Sequence, residues 1–376
     1  MPQARDRPCR IVHVYGALGR GGAETWLMDV VRRTPRDELQ FDVCLTNPRR
    51  GAYEDEFVRL GGQVHRCPIA GNLRAFARRL REILQHGQYD IVHSHLYHFT
   101  GFILRVAARA GVPQRIAHIH PAVDAKARSP LRALYTWWMR RWILRYGTHF
   151  VGPTRASLEG YWGPDWESDG RKRVIYNGIA IERFHQPVDR TAVRRELDLP
   201  DDCQIVLNVA RYAAHKRHAF LVQVAETVAA RHPNVYFVLI GAGDLKRAVE
   251  EQVCARGLTP RFRFIEGAPS IDRYWLSADV FAFPSSNEGF GIVVAEAAAA
   301  GLRVVAQDIP GVREAATACP APVLLPLETP AADWAAVLLE QLALPRISEA
   351  ERQMLLKHFP FTIENSIQTL RSIYDA

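Results

Sequence analysis

No CxxC or CxxH spacing occurs in the chain. Its six cysteines, Cys9, Cys44, Cys67, Cys203, Cys254 and Cys319, are scattered over 376 residues. That scatter argues against a disulfide framework or a zinc site and points to a reducing compartment. No run approaches the ~18 uninterrupted apolar residues that a membrane-spanning helix needs. The start, MPQARDRPCRIVHVYG, places charge before an apolar run of only strand length and has no cleavage signal. A soluble or peripheral protein is expected. No repeat of short period is visible, which excludes solenoids and propellers. No RNA- or DNA-binding module is recognisable, and the aromatics form no regular stacking platform.

What is present is an ordinary globular composition, 48% hydrophobic and 23% charged, over a length that suggests about two domains. Short β-rich runs alternate with helical patterns, the mark of parallel sheets built from βαβ units. RIVHVY, FDVCLT, YDIVHSH, QRIAHIH, THFVGPT and KRVIYNG are the candidate strands of the first half. QIVLNVAR, VYFVLIGAG, FRFIEG, DVFAFPSS and LRVVAQD are those of the second. The expected fold class is α/β, with two Rossmann-like doubly wound domains. The break falls at Asn177 and Gly178, giving domains 1–177 and 178–360, and the closing helical pattern of 361–376 is expected to dock back on the first. Open α/β sheets bind ligands beyond the carboxyl ends of their strands, so the active site is expected in a crevice between the two domains.

Charge is unevenly spread. Up to Ala180 there are 28 Lys and Arg against 16 Asp and Glu, and beyond it 20 against 24. A basic first half suits a polyanion or an anionic membrane surface, and equally a solvated Arg-rich surface with no partner. LRALYTWWMRRWILRY sets Trp137, Trp138 and Trp142 among Arg132, Arg140, Arg141 and Arg145 at helical spacing. Such a helix either lies in a membrane interface or packs one face on the sheet with its cations in water.

The segment Ser285–Glu314, SSNEGFGIVVAEAAAAGLRVVAQDIPGVRE, places a Gly-rich turn between a strand and a helix. Glu288 precedes the turn and Glu296 lies about two helical turns further on, so the two carboxylates have different tasks. The amides of Gly289, Phe290 and Gly291 lie near a helix N-terminus, where unpaired N–H groups and the helix dipole favour a phosphate or a polar sugar. A carboxylate further in can accept both hydroxyls of a ribose.

Glu288, seven residues and Glu296 together resemble the paired-glutamate motif of the retaining glycosyltransferases of family four, which have the GT-B fold. Other landmarks follow in order: GGAE at Gly21–Glu24, HSH at His93–His95, HIH at His118–His120, IYNGI at Ile175–Ile179, NVAR with Lys216, and GAGDLK at Gly241–Lys246. The likeness spans nearly the whole chain and is nearest to the branch that builds bacterial exopolysaccharide, capsule or lipopolysaccharide. It implies a nucleotide diphosphate sugar as donor, most often a UDP-sugar, with no tightly bound cofactor. It also implies a glycan or lipid-linked saccharide as acceptor, and a cytoplasmic enzyme working at the inner face of the plasma membrane.

The resemblance assigns Arg211 and Lys216 to the donor diphosphate, where two fixed cations would stabilise the charge developing on the leaving group. Family members often have Gly after this lysine. Arg217 stands there instead and leaves the local turn in question. Gly21 and Gly22 become donor-side residues, and Glu24 an element of the helix start; the segment lacks GxGxxG spacing. His120 becomes a catalytic candidate beside the sugar and His95 the next, both on the acceptor side, with His93 and His118 as buried scaffold. Nothing in the spacing of these histidines excludes a metal cluster. No DxD motif is present, which argues against a metal-bridged diphosphate, so no metal requirement is expected. Two rivals remain open: a sugar-nucleotide epimerase on a similar scaffold, and a nucleic-acid-binding protein using the basic half.

Overall fold

The computed structural model describes residues 7–69, 71–120, 129–266 and 270–375. Residues 1–6, at the start of the chain, lie outside them. The chain divides into two compact units, residues 1–178 with 363–376, and residues 179–362.

The first unit holds a seven-stranded parallel sheet of β1 (Cys9–Tyr15), β2 (Leu39–Leu45), β3 (Val64–Arg66), β4 (Ile91–Ser94), β5 (Gln114–His118), β6 (His149–Gly152) and β7 (Lys172–Val174). Their order is β3-β2-β1-β4-β5-β6-β7. Parallel neighbours cannot be joined by a hairpin, so helices carry the chain back and cover the sheet faces. Residues buried on both faces give strands such as Ile11, Val12 and Val14, each without exposed surface. Strand order reverses between β1 and β4, and the chain leaves that point in diverging loops.

Helices Gly22–Arg33 and Ile363–Tyr374 lie together in this unit. The indole of Trp26 donates to Ser366 Oγ at 2.6 Å, and Ser366 donates onward to the Tyr176 carbonyl at 2.8 Å. The last helix therefore belongs to the core of the first sheet. The helix Pro130–Tyr146 packs instead on Thr100–Arg109, so closely that a Cβ on Gly101 would lie 2.3 Å from the Met139 carbonyl oxygen. Of its residues only Met139 and Ile143 are buried. Its outer face shows Leu131, Leu134, Trp137 and Trp138, and the two tryptophans, 54% and 44% exposed, do not rest on the sheet.

The second unit repeats the plan with six parallel strands, β8 (Gln204–Val209), β9 (Val235–Ile240), β10 (Phe262–Ile265), β11 (Val280–Phe283), β12 (Arg303–Gln307) and β13 (Val323–Leu325). Their order is β10-β9-β8-β11-β12-β13, so its reversal falls between β8 and β11. Inside the sheet Asn208 donates to the Ala282 carbonyl at 2.8 Å, a polar tie between those two central strands. The edge strands β3 and β13, three residues each, are additions to the strands expected from sequence.

Candidate active site

In the second unit the loops leaving β8 and β11 meet at the reversal of strand order. The β8 loop is held on one side by the turn after β9. Gly241 and Gly243 have φ of 155° and 148°, and a Cβ on either would lie 2.0 Å from the Ala210 oxygen or 2.6 Å from the Tyr212 oxygen. No side chain fits between these backbones. Tyr212 N–H donates to the Ala242 carbonyl at 2.9 Å. On the other side Ser286 N–H donates to the His215 carbonyl at 2.8 Å, and the hydroxyls of Ser285 and Ser286 reach the same oxygen at 3.2 Å.

This clamping brings Lys216 and Glu288 together. The ammonium bonds the carboxylate and lies 5.1 Å from the centre of the Phe283 ring, with both side chains mostly enclosed. Removing one partner would strand a partly buried charge, an arrangement that costs about 3–5 kcal/mol when burial is complete. Arg211 stands exposed just beyond β8. Arg217 has φ 53° and ψ 38°, a left-handed conformation that glycine takes freely. Its guanidinium donates to Gln307 Oε1 at 2.6 Å and lies 4.3 Å from the Phe220 ring. Those contacts hold the arginine in the turn left in question by sequence.

Gly291, at φ 72°, heads the helix Ile292–Ala299, which has no side-chain cap. The Phe290 ring is buried against Phe361, so only its backbone faces the loop. The helix Pro310–Ala316 backs this loop, and a Cβ on Gly311 would lie 2.6 Å from the Gly289 oxygen and 2.7 Å from that of Glu288. Glu296 is 93% enclosed and pairs with Arg183 at 3.2 Å, which also reaches Asp272 at 3.3 Å. Arg183 was not singled out by sequence; its only signal was a cation in IERF just past the domain break.

In the first unit Gly21 precedes the helix Gly22–Arg33, again without a side-chain cap. The Glu24 side chain folds back on Gly21, where a Cβ would lie 2.2 Å from Glu24 Oε2. His95 and His120 lie just past β4 and β5, and they are bonded to each other, His95 Nδ1 to His120 Nε2 at 2.9 Å. His93 and His118 are fully enclosed on the same sheet face, since alternate residues of a strand share a face. Sequence reasoning missed His13 and Tyr374, which complete this cluster. His13 is the register partner of His93, a pairing invisible until strand order is known.

Burial holds all five rings neutral. His13 is lowered to about 3 and His120 to about 4, while His93, His95 and His118 fall well below the usual imidazole value through burial and then through one another. Two triplets, His13–His93–His95 and His95–His118–His120, bring ring nitrogens within 4.8 Å, a spacing that suits a metal. Hydrogen bonds already engage every ring nitrogen of the five except His118 Nε2 and His120 Nδ1 among the described residues.

Known proteins share this architecture. Residues 21–178 match the family model of the Glycosyl transferase 4-like domain, and residues 189–324 that of Glycosyl transferases group 1. The glycosyltransferase EpsF of Bacillus subtilis is 29% identical over 373 residues, covering 97% of this chain and 96% of its own. The capsular polysaccharide biosynthesis glycosyltransferase CapH of Staphylococcus aureus is 24% identical over 300 residues, covering 77% and 78%. Among solved structures, that of Anabaena HepE with UDP and glucose superimposes with a TM-score of 0.75 at 19% identity, over 97% of this chain and 98% of that one.

The neutral histidine array makes stability depend on pH. Each ring, depressed below its unfolded value of about 6.5, takes up a proton on unfolding once the pH falls below that value. The stability it contributes is full above about pH 6.5. It is lost as pH falls toward about 4 for His120 and about 3 for His13, at up to about 1.4 kcal/mol per pH unit per ring. The thermal unfolding midpoint is therefore expected to fall steeply from pH 7 to pH 5. A midpoint that stays level across that window would contradict the neutral array.

Proposed function

Because the chain belongs to the family-four type of glycosyltransferases, with the GT-B fold, we propose that it transfers a sugar from a UDP-sugar to a hydroxyl of a glycan or lipid-linked saccharide, with retention at the anomeric carbon. The observation that carries this reading is the enclosed Lys216–Glu288 pair, set beside an uncapped helix N-terminus where strand order reverses. A diphosphate leaving group gains charge as the glycosidic bond breaks. A lysine already aimed by a carboxylate stabilises that charge without reorganising at the moment of reaction.

In this reading Arg211, Lys216 and the amides of Gly289, Phe290 and Gly291 meet the diphosphate and the sugar attached to it. Glu288 orients Lys216 and the donor sugar. Glu296, steadied by Arg183, accepts the ribose hydroxyls. Gly21 and Gly22 let backbone approach the donor, and His120 with His95 faces the reacting sugars. UDP is favoured because HepE, of the same fold, binds UDP and glucose. A polysaccharide acceptor is favoured by the likeness to CapH. Attack on the same face as the leaving phosphate supplies retention without an enzyme nucleophile.

A lipid-carried acceptor would bring the protein to an anionic membrane. No helix among the described residues is long and apolar enough to cross one. The helix Pro130–Tyr146 offers a surface contact instead: Leu131 is 80% exposed, and Trp137, Trp138 and Leu134 stand near the exposed Arg141 and Arg145. A cavity of about 450 Å³ lined by Leu131, Leu134, Tyr135, Trp138, Met139 and Trp142 opens on the same helix. Aromatic side chains at headgroup level with arginines nearby suit an interface rich in anionic lipid.

Two measurements test these readings. In a thermal-shift screen of UDP, GDP and ADP, UDP is expected to raise the unfolding midpoint, and Lys216→Ala and Glu296→Ala to abolish the rise. Stabilisation by UDP that survives both substitutions would remove the proposed donor site. In cosedimentation with phosphatidylglycerol vesicles at low salt, the protein is expected to pellet and the Trp137→Ser/Trp138→Ser variant to stay in solution, with its response to UDP unchanged. A wild type that ignores the vesicles would contradict the membrane reading.

A further inference from the structure

Five histidines and one tyrosine from three strands and the last helix form an unbranched chain of hydrogen bonds inside the first unit. It begins at His118, whose Nδ1 lies 3.2 Å from His93 Nε2. His93 Nδ1 lies 2.9 Å from the Tyr374 hydroxyl, and that hydroxyl lies 3.2 Å from His13 Nε2. His13 Nδ1 lies 3.0 Å from His95 Nε2, and His95 Nδ1 lies 2.9 Å from His120 Nε2. Of the five, His120 is the least enclosed.

A neutral imidazole has one N–H and one bare nitrogen, and a phenol has one O–H. Six neutral groups thus bring six protons to five links, and the sixth must sit at one end. At the inner end His118 Nε2 is buried with no hydrogen-bond partner among the described residues. A proton there would be an orphaned buried donor, the rarest and costliest state of a polar group. The ring set edge-to-face against His118, that of Trp26 at 5.6 Å between centres, is a weak acceptor by comparison. A bare lone pair at His118 Nε2 is the cheaper arrangement, and it fixes every proton that follows. His118 donates to His93, His93 to Tyr374, Tyr374 to His13, His13 to His95, and His95 to His120.

We propose that this single-polarity chain makes His120 an Nδ1–H donor toward the substrate, and that Tyr374, His13 and His95 are positioning residues which set that tautomer from inside the core. His120 then has no lone pair to offer at Nδ1. It acts as a hydrogen-bond donor to an oxygen of the transferred sugar or its acceptor and not as a general base. Among the described residues Tyr15 stacks on His95, Glu24 acts on Tyr15, and Cys9 acts on Tyr374. Burial keeps Tyr15 and Tyr374 protonated, raising both well above the usual phenol value, so the hydroxyl link keeps its proton. The ordering of the protons rests on the bond geometry and on the burial that keeps the groups neutral; that the donor faces substrate rests on the proposed function.

The test is ring-nitrogen NMR of protein labelled with 15N-histidine, assigned with a His120→Gln variant, together with turnover of a UDP-sugar. Wild type is expected to show His120 protonated at Nδ1 and bare at Nε2 at neutral pH. Tyr374→Phe, which removes only the central hydroxyl, is expected to leave His120 a mixture of tautomers. It should also lower kcat by roughly tenfold, the scale of one weakened hydrogen bond to the reacting groups, with KM for the UDP-sugar unchanged. Wild-type His120 protonated at Nε2 or doubly protonated would overturn the ordering, and so would stoichiometric cobalt(II) uptake by the array. The cobalt measurement needs no variant to fold. A folded Tyr374→Phe protein with mixed tautomers and undiminished kcat would overturn the donor role while leaving the ordering in place. Absence of UDP-sugar turnover in the wild type would count against the proposed function, and the NMR result would still decide the ordering.

Discussion

Every neighbouring strand pair in both sheets is parallel, and that constraint shapes the rest of the molecule. Parallel neighbours must be joined by crossovers, so no connection at the carboxyl ends is a tight hairpin. Where the order reverses, between β1 and β4 and between β8 and β11, successive loops diverge and leave backbone amides and strand-end side chains uncovered. The residues with unusual chemistry collect there or one strand away: His95 and His120 in one unit, Lys216, Glu288 and Gly291 in the other.

The two reversal points are electrostatic opposites. In the second unit a cation and an anion are enclosed together, each made tolerable by the other, and glycines 241, 243 and 311 allow the backbones to close around them. In the first unit five groups able to carry charge are kept neutral by burial, linked through their protons. In the proposed function one site meets a charged group with a ready counter-charge, and the other meets hydroxyls with an ordered donor. A reaction that releases a diphosphate and joins a sugar to an alcohol has use for both.

Much of the fold was legible in the chain. Continuous apolar runs such as QIVLNV and VYFVLI, separated by helical periods, require strands buried on both faces, and that requirement leads to parallel doubly wound sheets. The edge strands β3 and β13 escaped because three residues set up no period; β7 is as short, but the apolar run VIY continuing from it marked it. The motif residues were legible as a set through family likeness. What they touch was not, because Arg183 meets Glu296 across 113 positions and Tyr374 meets His13 across 361. Nothing local marks such pairs; they exist only once strand order and the return of the last helix are known. Arg217 shows a different limit: a glycine preference read as doubt about the turn was met by an arginine that side-chain contacts hold in the same left-handed conformation.

The central claim is that these residues break the bond between a sugar and a diphosphate and form a new glycosidic bond of the same configuration. The direct measurement is proton NMR of the anomeric position during turnover of α-linked UDP-glucose with a panel of saccharide acceptors. The account predicts release of UDP with a new α-glycosidic signal. A β-linked product would contradict retention, and an epimerised nucleotide sugar with no new glycosidic bond would contradict the transfer itself.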